Sequence, residues 1–411
     1  MELTERQKEI VTYVQSLFNK PVFLVGGACR SILLGKDPKD YDFCSALTTE
    51  EVKEQLKGKH RAYLIGERFG TVGFSCLGEY IEITQFRTEE YTAGSRKPKV
   101  TFGTDLLTDL SRRDFRCNAI ALDCQTFELI DPFNGQKDIE EGIVQAVGSP
   151  KARFNEDPLR ILRCIRFATV LGFKIEEKTL KKLNQMQYTL MRISRERWVE
   201  EFNKILQSDN VYAGLKMLWE YRIFNFTIPE LAIQWDYDQN SKYHDLQLWS
   251  HTANVVSSTQ KAGEPLPMLW SALMHDIGKP FCRQDRIIDE KLLKYNEGYK
   301  IGDTKSNYIL HEKIGSQIAL RLCEYLKFST KMKEEIVDLI KNHLEDESPL
   351  RIYDNMHKSK IAKELDNPQP LKVNTKKINQ GTAETNDEVL GDIGGGVNPS
   401  TVDTYNHEEK I

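Results

Sequence analysis

The sequence has no apolar run long enough to cross a bilayer. Its longest apolar stretches, such as FLVGGA and AIAL, are far shorter than the roughly 20 residues that a transmembrane helix needs. The first residues carry acidic charge and amphipathic spacing in place of a basic start followed by an apolar core, so the sequence predicts no secretory signal. We therefore expect no membrane partner and a cytoplasmic location.

The eight cysteines include no Cys-x-x-Cys pair. Their scattered spacing argues against a zinc ribbon and against a disulfide framework, both of which need cysteines at set intervals. The sequence therefore predicts reduced, mostly buried thiols.

The overall charge is close to balanced, but one region is basic. The chain of 411 residues has a net charge of −4, with 40% hydrophobic and 29% charged residues, which is typical of a globular protein of two to four units. Residues 151–204 hold 13 Lys and Arg against 7 Asp and Glu, a local surplus of +6. This surplus would suit a phosphate backbone, and a solvated helical face remains an equally good interpretation of charge alone.

The patterning predicts an α+β protein, with a small α/β head followed by helices. PVFLVGG, TVGFSC, EYIEITQF and NAIALDCQTFELIDP have the apolar runs or alternation of strands, whereas the segments after Gln136 have helical spacing. The predicted domains are an α/β head at 1–138, a helical neck at 139–206, a helical body at 207–350 and a weakly structured tail at 351–411.

Two aspartates follow the first predicted strand. Asp40 and Asp42 are separated by one residue, so both carboxylates emerge on one face of an extended segment, and Glu82 alternates with two isoleucines and is a third candidate. Paired carboxylates suit Mg²⁺, and two ions could activate a hydroxyl and stabilise a leaving pyrophosphate. The Gly26-Gly27 turn would let backbone amides approach a triphosphate, with Arg30 supplying charge.

These motifs together resemble the class II tRNA nucleotidyltransferases, the bacterial CCA-adding enzymes and their poly(A) polymerase relatives. The resemblance runs from about Pro21 to Leu206 through GGACRSILLG, DYDF, LSRRDFRCNA, RFNEDPLRILRCIRFATVLGF and ISRERWVEEFNKIL. It implies a nucleotidyltransferase head with Asp40, Asp42 and Glu82 as catalytic residues. It also implies CTP and ATP as substrates, the tRNA acceptor arm as partner and no obligate protein partner.

The resemblance also assigns nucleotide-binding residues. It gives Arg113 the phosphates, Asp114 and Asn118 the ribose, and the neck residues the base. The complete predicted nucleotide-binding set is Gly26, Gly27, Arg30, Arg113, Asp114, Asn118, Glu156, Asp157, Arg160 and Arg163.

The segment NEDPLR predicts how the base is selected. Asp157 and Arg160 lie three residues apart at a helix start, where both side chains can reach one base edge. A carboxylate that accepts from an amino group and a guanidinium that donates to a ring nitrogen would admit C and A and reject G and U. An ordinary helix-start salt bridge is the alternative, and by resemblance Glu156 helps to hold the arginine.

Two features favour complete CCA addition over a poly(A) polymerase on the same scaffold, which is the nearest alternative. FRTEEYTAGSRKPKV resembles the flexible loop that the family needs to change from C to A addition. LIGERFGTVGF carries the Gly-Thr typical of CCA-adding enzymes.

Downstream segments resemble an HD-type phosphohydrolase domain. SHTANVV, SALMHDIGKP, LHEKIGSQIA and IKNHLED contribute a possible second divalent-metal site formed by His251, His275, Asp276, His311 and His343. The family continues after His343 with a longer helical body and a further acidic ligand, whereas this chain shortens. A phosphohydrolase with an RNA-binding head, a retained structural or tRNA-docking role for this domain, and a purely binding protein such as a tRNA chaperone are therefore kept as alternatives.

Overall fold

The N-terminal head is built on one mixed sheet, in a computed structural model that describes residues 2–64, 70–90, 99–103, 105–240, 246–294 and 299–357. The head strands are β1 (Val22–Val25), β2 (Tyr41–Ser45), β3 (Tyr63–Leu64), β4 (Thr71–Cys76), β5 (Glu79–Gln85), β6 (Arg87–Glu90), β7 (Lys99–Phe102), β8 (Ala121–Asp123) and β9 (Leu129–Ile130). Seven of them form the sheet in the order β3-β4-β5-β2-β1-β8-β9, and β6 pairs with β7 separately.

Strands β2 and β5 are parallel neighbours, and their register places acidic residues side by side. Tyr41 pairs with Ile81 and Phe43 with Ile83, and all four side chains are buried in the main core. Because successive side chains of a strand point to opposite faces, the residues between them share the other face of the sheet. Those residues are the register partners Asp42 and Glu82.

Helices flank this sheet and are defined by local signals. The head helices are α1 (Glu5–Ser16), α2 (Gly27–Leu33), α3 (Thr49–Leu56), α4 (Leu106–Ser111) and α5 (Gly135–Glu141). A capping box between Thr48 and Glu51 starts α3. Helix α2 begins directly after Gly26, whose φ of 67° lies in the left-handed region that glycine adopts without strain.

The neck is helical and follows the head without a break. It comprises β10 (Ile143–Val144), α6 (Pro150–Glu156), α7 (Leu159–Leu171), β11 (Lys174–Ile175), α8 (Glu177–Met186), a 3₁₀ turn (Gln187–Arg192) and α9 (Arg195–Leu206). The apolar faces of α7 and α9 join the same core as the head, through residues such as Ile161, Ile165 and Phe202. The neck can therefore hold side chains at fixed positions next to the head.

The body is also mainly helical. It comprises α10 (Val211–Glu220), α11 (Phe224–Thr227), α12 (Pro229–Ala232), α13 (Leu248–Lys261), α14 (Leu266–Met274), α15 (Lys279–Cys282), β12 (Gln284–Ile287), α16 (Glu290–Leu293), β13 (Thr304–Asn307), α17 (His311–Tyr325), α18 (Thr330–Lys341) and α19 (Pro349–Met356). A Cβ at Gly278 would lie 2.2 Å from the main-chain oxygen of His311, so only glycine permits this approach to α17.

The predicted fold class is confirmed, with an α/β head followed by helices. Two small sheets within the predicted all-helical region were not expected, β10 with β11 and β12 with β13. The first pair has two residues per strand, which is too short for a periodic signal, and β12 is exposed along its whole length, so it lacks apolar alternation.

Two predicted boundaries fall within helices. Helix α5 crosses the predicted head–neck boundary at 138/139, and α19 crosses the predicted start of the tail at 351. Residues 358–411 of the predicted tail lie outside the described residues, as do residues 91–98 of the predicted flexible loop. The described ends of that loop, β6 and β7, form an antiparallel hairpin.

All eight cysteines are free thiols, and all but Cys282 are buried, which confirms the prediction from their spacing. Among the described helices, none combines the length and the apolar character needed to span a bilayer.

Candidate functional site

The three predicted catalytic carboxylates lie at one edge of the β2–β5 pair. Asp42 and Glu82 are register partners, and Asp40 comes directly before β2. Burial raises the pKa of Glu82, and the charges of Asp42 and Asp40 raise it further. Burial also raises the pKa of Asp42, which the Arg113 guanidinium opposes and Asp40 reinforces. Mutual repulsion between hard oxygen ligands is relieved by a divalent cation, so these residues fit Mg²⁺.

The glycine turn lies against two guanidinium groups. A Cβ built on Gly26 would lie 3.2 Å from Nη1 of Arg113 and 3.9 Å from Oδ2 of Asp42, and one built on Gly27 would lie 3.6 Å from Nη2 of Arg30. A larger residue at Gly26 would therefore crowd the guanidinium of Arg113, and it would also be strained at the positive φ of this position. The turn thus lies beside two positive charges and the carboxylate of Asp42, a combination that suits a metal-bound polyphosphate.

Asp114 joins the head to the neck. Its Oδ2 accepts from Nε of Arg163 at 2.7 Å, and its Oδ1 accepts from Nδ2 of Asn118 at 3.1 Å. Nη1 of Arg30 donates to the side-chain oxygen of Asn118. Burial alone would raise the pKa of Asp114, but Arg163 and Asn118 hold it well below its usual range. The structure thus links four of the predicted nucleotide-binding residues in one network.

Three arginines surround the ring of Phe167. The guanidinium carbons of Arg30, Arg163 and Arg166 lie 5.0, 5.4 and 4.0 Å from the ring centroid. Nε of Arg166 also donates to the buried Glu201 at 2.5 Å. Cation–π contacts and an ion pair therefore hold these three arginines in place around Phe167 of α7.

The predicted base-reading residues each have a separate partner. Nη2 of Arg197 donates to Oδ2 of Asp157 at 2.7 Å, from helix α9. Nη1 of Arg160 donates to Oε2 of Glu156 at 2.7 Å, and its Nη2 donates to the main-chain oxygen of Arg112 at 3.0 Å. Asp157 and Arg160 are thus not a salt bridge with each other, and the carbonyl of Arg112 ties Arg160 to the head.

The predicted histidines converge in the body, together with an aspartate that the sequence did not predict. Two sets of side chains have ligand atoms within 4.8 Å of one another, and they share Asp276. The sets are His251, His275, Asp276 and Asp354, and Asp276, His311 and His343. Asp354 lies on α19, in the segment predicted to begin the tail, and its Oδ1 is 3.0 Å from Nε2 of His251. This carboxylate follows His343, in the segment where the chain is shorter than the family it resembles.

Two histidines of the cluster are oriented by hydrogen bonds to main-chain carbonyls. Nδ1 of His311 donates to the main-chain oxygen of Tyr308 at 2.7 Å, and Nδ1 of His343 donates to that of Ile340 at 2.6 Å. Their Nε2 atoms lie 3.2 Å apart, and Nε2 of His311 is also 3.3 Å from Oδ1 of Asp276. The carbonyl contacts therefore orient both Nε2 atoms toward the same carboxylate, an arrangement that fits two imidazole ligands of one cation.

The charges of this cluster are already partly balanced. Burial lowers the pKa of His343 to about 4, so its ring is neutral near pH 7. Burial would also lower the pKa of His275, but Asp276 and Asp354 raise it to about 9. Nζ of Lys279 lies 2.6 Å from Oδ2 of Asp276. The donor set of imidazoles and carboxylates fits a transition metal or another divalent cation.

Sequence reasoning missed four residues that contact predicted ones. They are Asp109 beside Arg113, Arg197 beside Asp157, and Asp354 and Lys279 in the histidine cluster. Spacing could have found Asp109 and Lys279, because each is three or four residues from its partner on one helical turn. No local signal connects Arg197 or Asp354 to their partners, because those contacts depend on helix packing.

Comparison with known families assigns most of the chain. Residues 22–145 match the poly A polymerase head domain, residues 172–234 match the probable RNA and SrmB-binding site of polymerase A, and residues 248–374 match the HD domain. In chain order, the matched parts are thus similar to a polymerase head, to a probable RNA-binding site and to an HD domain.

Individual relatives agree with this class. The chain is 41% identical over 213 residues to a CCA-adding enzyme of Enterococcus faecalis (52% of this chain and 51% of the relative), and 37% identical over 239 residues to one of Streptococcus thermophilus (56% and 58%). The chain therefore spans about half the length of the curated relatives it matches. The crystal structure of the Bacillus stearothermophilus CCA-adding enzyme in complex with CTP is similar, with a TM-score of 0.59 and 25% identity over 84% of this chain and 71% of that one.

Over the matched ranges the chain is therefore similar to the poly A polymerase head domain and to CCA-adding enzymes, in agreement with the resemblance that the sequence motifs indicated.

Proposed function

We propose that this protein adds CCA to the 3′ end of tRNA, using CTP and ATP and releasing pyrophosphate. The observation that carries this proposal is the junction between Arg160 and the main chain of Arg112, at 3.0 Å. Arg113, the next residue, borders the glycine turn, so a triphosphate bound at the turn would extend its base toward Asp157 and Arg160. The names of the curated relatives and the CTP complex of the similar structure support the same activity.

Catalysis would depend on the carboxylate edge and the glycine turn. Asp40, Asp42 and Glu82 would hold Mg²⁺, which supplies activation of the 3′ hydroxyl and stabilisation of the pyrophosphate when it is bound. The amides of Gly26 and Gly27, with Arg30 and Arg113, would hold the phosphates in line for attack on the α-phosphate. Asp114, kept ionised beside Arg163, would accept from a ribose hydroxyl. Positioning and charge neutralisation would therefore account for most of the rate.

Base selection would use the edge that Asp157 and Arg160 present. An ionised Asp157 accepts hydrogen bonds only, so it favours a base with an exocyclic amino group. Arg160 donates only, so it favours an unprotonated ring nitrogen beside that group. Cytosine and adenine meet both conditions on their Watson–Crick edges. Uracil has no amino group, and guanine has its amino group beside a protonated ring nitrogen, so neither of them meets both conditions.

The tRNA would bind along the neck. Residues 151–204 carry the basic surplus, and residues 172–234 match a family described by its probable RNA binding. The acceptor arm would place its 3′ end at the carboxylate edge. A cytoplasmic location is proposed with this function, and the eight free thiols support a reducing compartment.

An end-sequencing assay tests the proposal. The protein is mixed with Mg²⁺ and a tRNA transcript that lacks CCA, each NTP is supplied singly and then all are supplied together, and the 3′ ends are sequenced. Two C residues from CTP alone, with one terminal A only when ATP is present, are expected. Long A tails from ATP would move the assignment to a poly(A) polymerase, and unextended ends would refute nucleotidyl transfer.

We also propose that the histidine cluster is a second divalent-metal centre. The convergence of Nε2 of His311 and of His343, together with the carboxylates of Asp276 and Asp354, supports this assignment. Inductively coupled plasma mass spectrometry of the purified chain would measure the bound metal. A metal-free chain that also takes up none on dialysis would refute the proposal.

A further inference from the structure

Asp109, a residue outside the predicted site, is buried at the end of helix α4 and pairs with two arginines. Its Oδ1 accepts from Nη2 of Arg112 at 2.6 Å, and its Oδ2 accepts from Nη2 of Arg113 at 3.1 Å. Its side chain is 1% exposed. Burial alone would raise the pKa of Asp109, but Arg113 and Arg112 hold it below its usual value. A buried carboxylate is costly unless it is paired, so this arrangement calls for a reason beyond packing.

One arm of this arrangement reaches the glycine turn. Nη2 of Arg113 is held by Asp109, and its Nη1 borders Gly26 and donates to the main-chain oxygen of Asn118 at 3.4 Å. Asp42 lies beside the same guanidinium, whose charge opposes the rise in the pKa of Asp42. If Asp109 were removed, Arg113 would be free to turn toward Asp42 and compete there with a cation.

The other arm reaches the neck and the loop hairpin. Nε of Arg112 donates to the main-chain oxygen of Arg87, the first residue of β6, at 3.0 Å. The main-chain oxygen of Arg112 accepts from Arg160, and that of Ser111 accepts from Nη1 of Arg153 at 3.1 Å. The turn that follows Asp109 is therefore where the base-reading helix is anchored to the head.

We propose that Asp109 is a positioning residue that sets the phosphate-binding and base-reading arginines relative to each other. This inference rests on the proposed nucleotide site. Asp109 itself is too deeply buried to touch a substrate, so it acts through Arg113 on the phosphates and through the main chain of Arg112 on Arg160. A change at Asp109 should therefore alter both phosphate affinity and base selectivity. Loss of the contact with Arg113 alone, or with Arg112 alone, would alter only one of them.

The test compares Asp109→Asn with Asp105→Asn in the full chain. Asp105 is the exposed N-cap of the same helix, and asparagine also caps helices, so the control removes the same charge without disturbing an arginine. Binding of CTP, UTP and pyrophosphate with Mg²⁺ is measured by isothermal titration calorimetry. Asp109→Asn is expected to weaken CTP and pyrophosphate by about tenfold and to lower the CTP-to-UTP affinity ratio by about threefold, which corresponds to a loss of orienting hydrogen bonds to charged groups. Asp105→Asn should change neither.

A second variant, Arg112→Met, distinguishes the effect on base selection from the effect on phosphate binding. It also provides a test if Asp109→Asn does not fold. It leaves the Asp109–Arg113 pair in place, so the CTP-to-UTP ratio should fall while pyrophosphate binding stays as it was. A folded Asp109→Asn with unchanged binding would overturn the proposal, and so would an unchanged ratio in Arg112→Met. A chain that binds CTP but adds no nucleotide to tRNA would overturn the proposed function instead, because the readout here is binding.

Discussion

The carboxylate edge of the head and the histidine cluster of the body are both candidate metal centres, but they differ in how far they are assembled in advance. The six side chains of the cluster are buried, and their ligand atoms lie within 4.8 Å of one another in two sets. Asp40 is exposed, Asp42 and Glu82 are half-buried, and these three described residues do not form such a set. The histidine cluster thus resembles a closed coordination shell. The carboxylate edge resembles an open one, in which protein ligands occupy only one side.

This difference has a physical meaning for the two roles. An open carboxylate edge leaves coordination positions for phosphate oxygens and for an attacking hydroxyl, so its metal can arrive and leave with the nucleotide. A closed shell with carbonyl-oriented imidazoles holds its metal through the protein alone. The head is therefore suited to turnover, and the cluster is suited to a resident ion.

The largest effect is expected from removing one head carboxylate. Asp42→Ala should lower nucleotide incorporation by at least about 1000-fold. The variant would lose one of the proposed metal-binding carboxylates, and Glu82 would be left without the neighbouring carboxylate with which it would hold the ion. Binding of tRNA should be unchanged, since the basic neck is intact. Single-turnover incorporation and filter binding measure the two quantities. Asp37→Ala, a nearby exposed carboxylate, is the control, and substantial residual turnover in Asp42→Ala would remove this residue from the metal site.

A smaller effect is expected from opening the closed shell. Asp354→Ala should weaken binding of Mn²⁺ at the cluster by about 100-fold, because the first ligand set loses a carboxylate. Incorporation of CTP should stay near that of the unaltered chain. Mn²⁺ binding is measured from the electron paramagnetic resonance of the free ion, with Asp346→Ala, an exposed aspartate nearby, as the control. Equal Mn²⁺ affinity in both variants would show that α19 contributes no ligand.

A smaller effect than at either metal centre is expected when a base-reading residue is removed. Asp157→Ala should lower the preference for CTP over UTP by about 30-fold, because a paired contact to a base edge contributes about 1–3 kcal/mol of discrimination. Competition between the two nucleotides in one reaction measures the ratio. The control is Glu200→Ala, an exposed neck carboxylate on α9. Unchanged discrimination against UTP and GTP would refute the base-edge interpretation.

The carboxylate edge was predictable because its geometry is local. Alternation in DYDF and YIEITQF put Asp42 and Glu82 on the polar faces of two strands, and the parallel β2–β5 register placed them side by side. Helical spacing likewise predicted α7 and α9. The period-two and period-3.6 patterns are set by the local backbone, so they can be recognised in the sequence without knowing how the elements pack.

The partners of these residues were not predictable in the same way. Arg197 reaches Asp157 from a helix 40 positions away, and Asp354 joins Asp276 from a helix predicted to begin a tail. Both contacts are set by how helices pack, which no local spacing reports. The sequence therefore predicted the histidine cluster without Asp354, whereas its alternation placed Asp42 and Glu82 on the faces where the structure has them side by side.

The smallest and most discriminating effect is a difference in pH dependence between the two centres. In the cluster, Asp276 and Asp354 raise the pKa of His275 to about 9 against the opposing effect of burial, so a bound metal must displace a proton below that pH. Affinity should fall about tenfold for each pH unit below 9. The head ligands are carboxylates, which hold no proton near pH 8 unless their pKa rises far above 4.

Lowering the pH from 8 to 7 should thus weaken Mn²⁺ binding about tenfold in Asp42→Ala, where only the cluster remains, and barely alter it in Asp354→Ala. If Mn²⁺ affinity changed equally with pH in the two variants, the proposed difference between a cluster that must release a proton and a carboxylate edge that need not would be wrong.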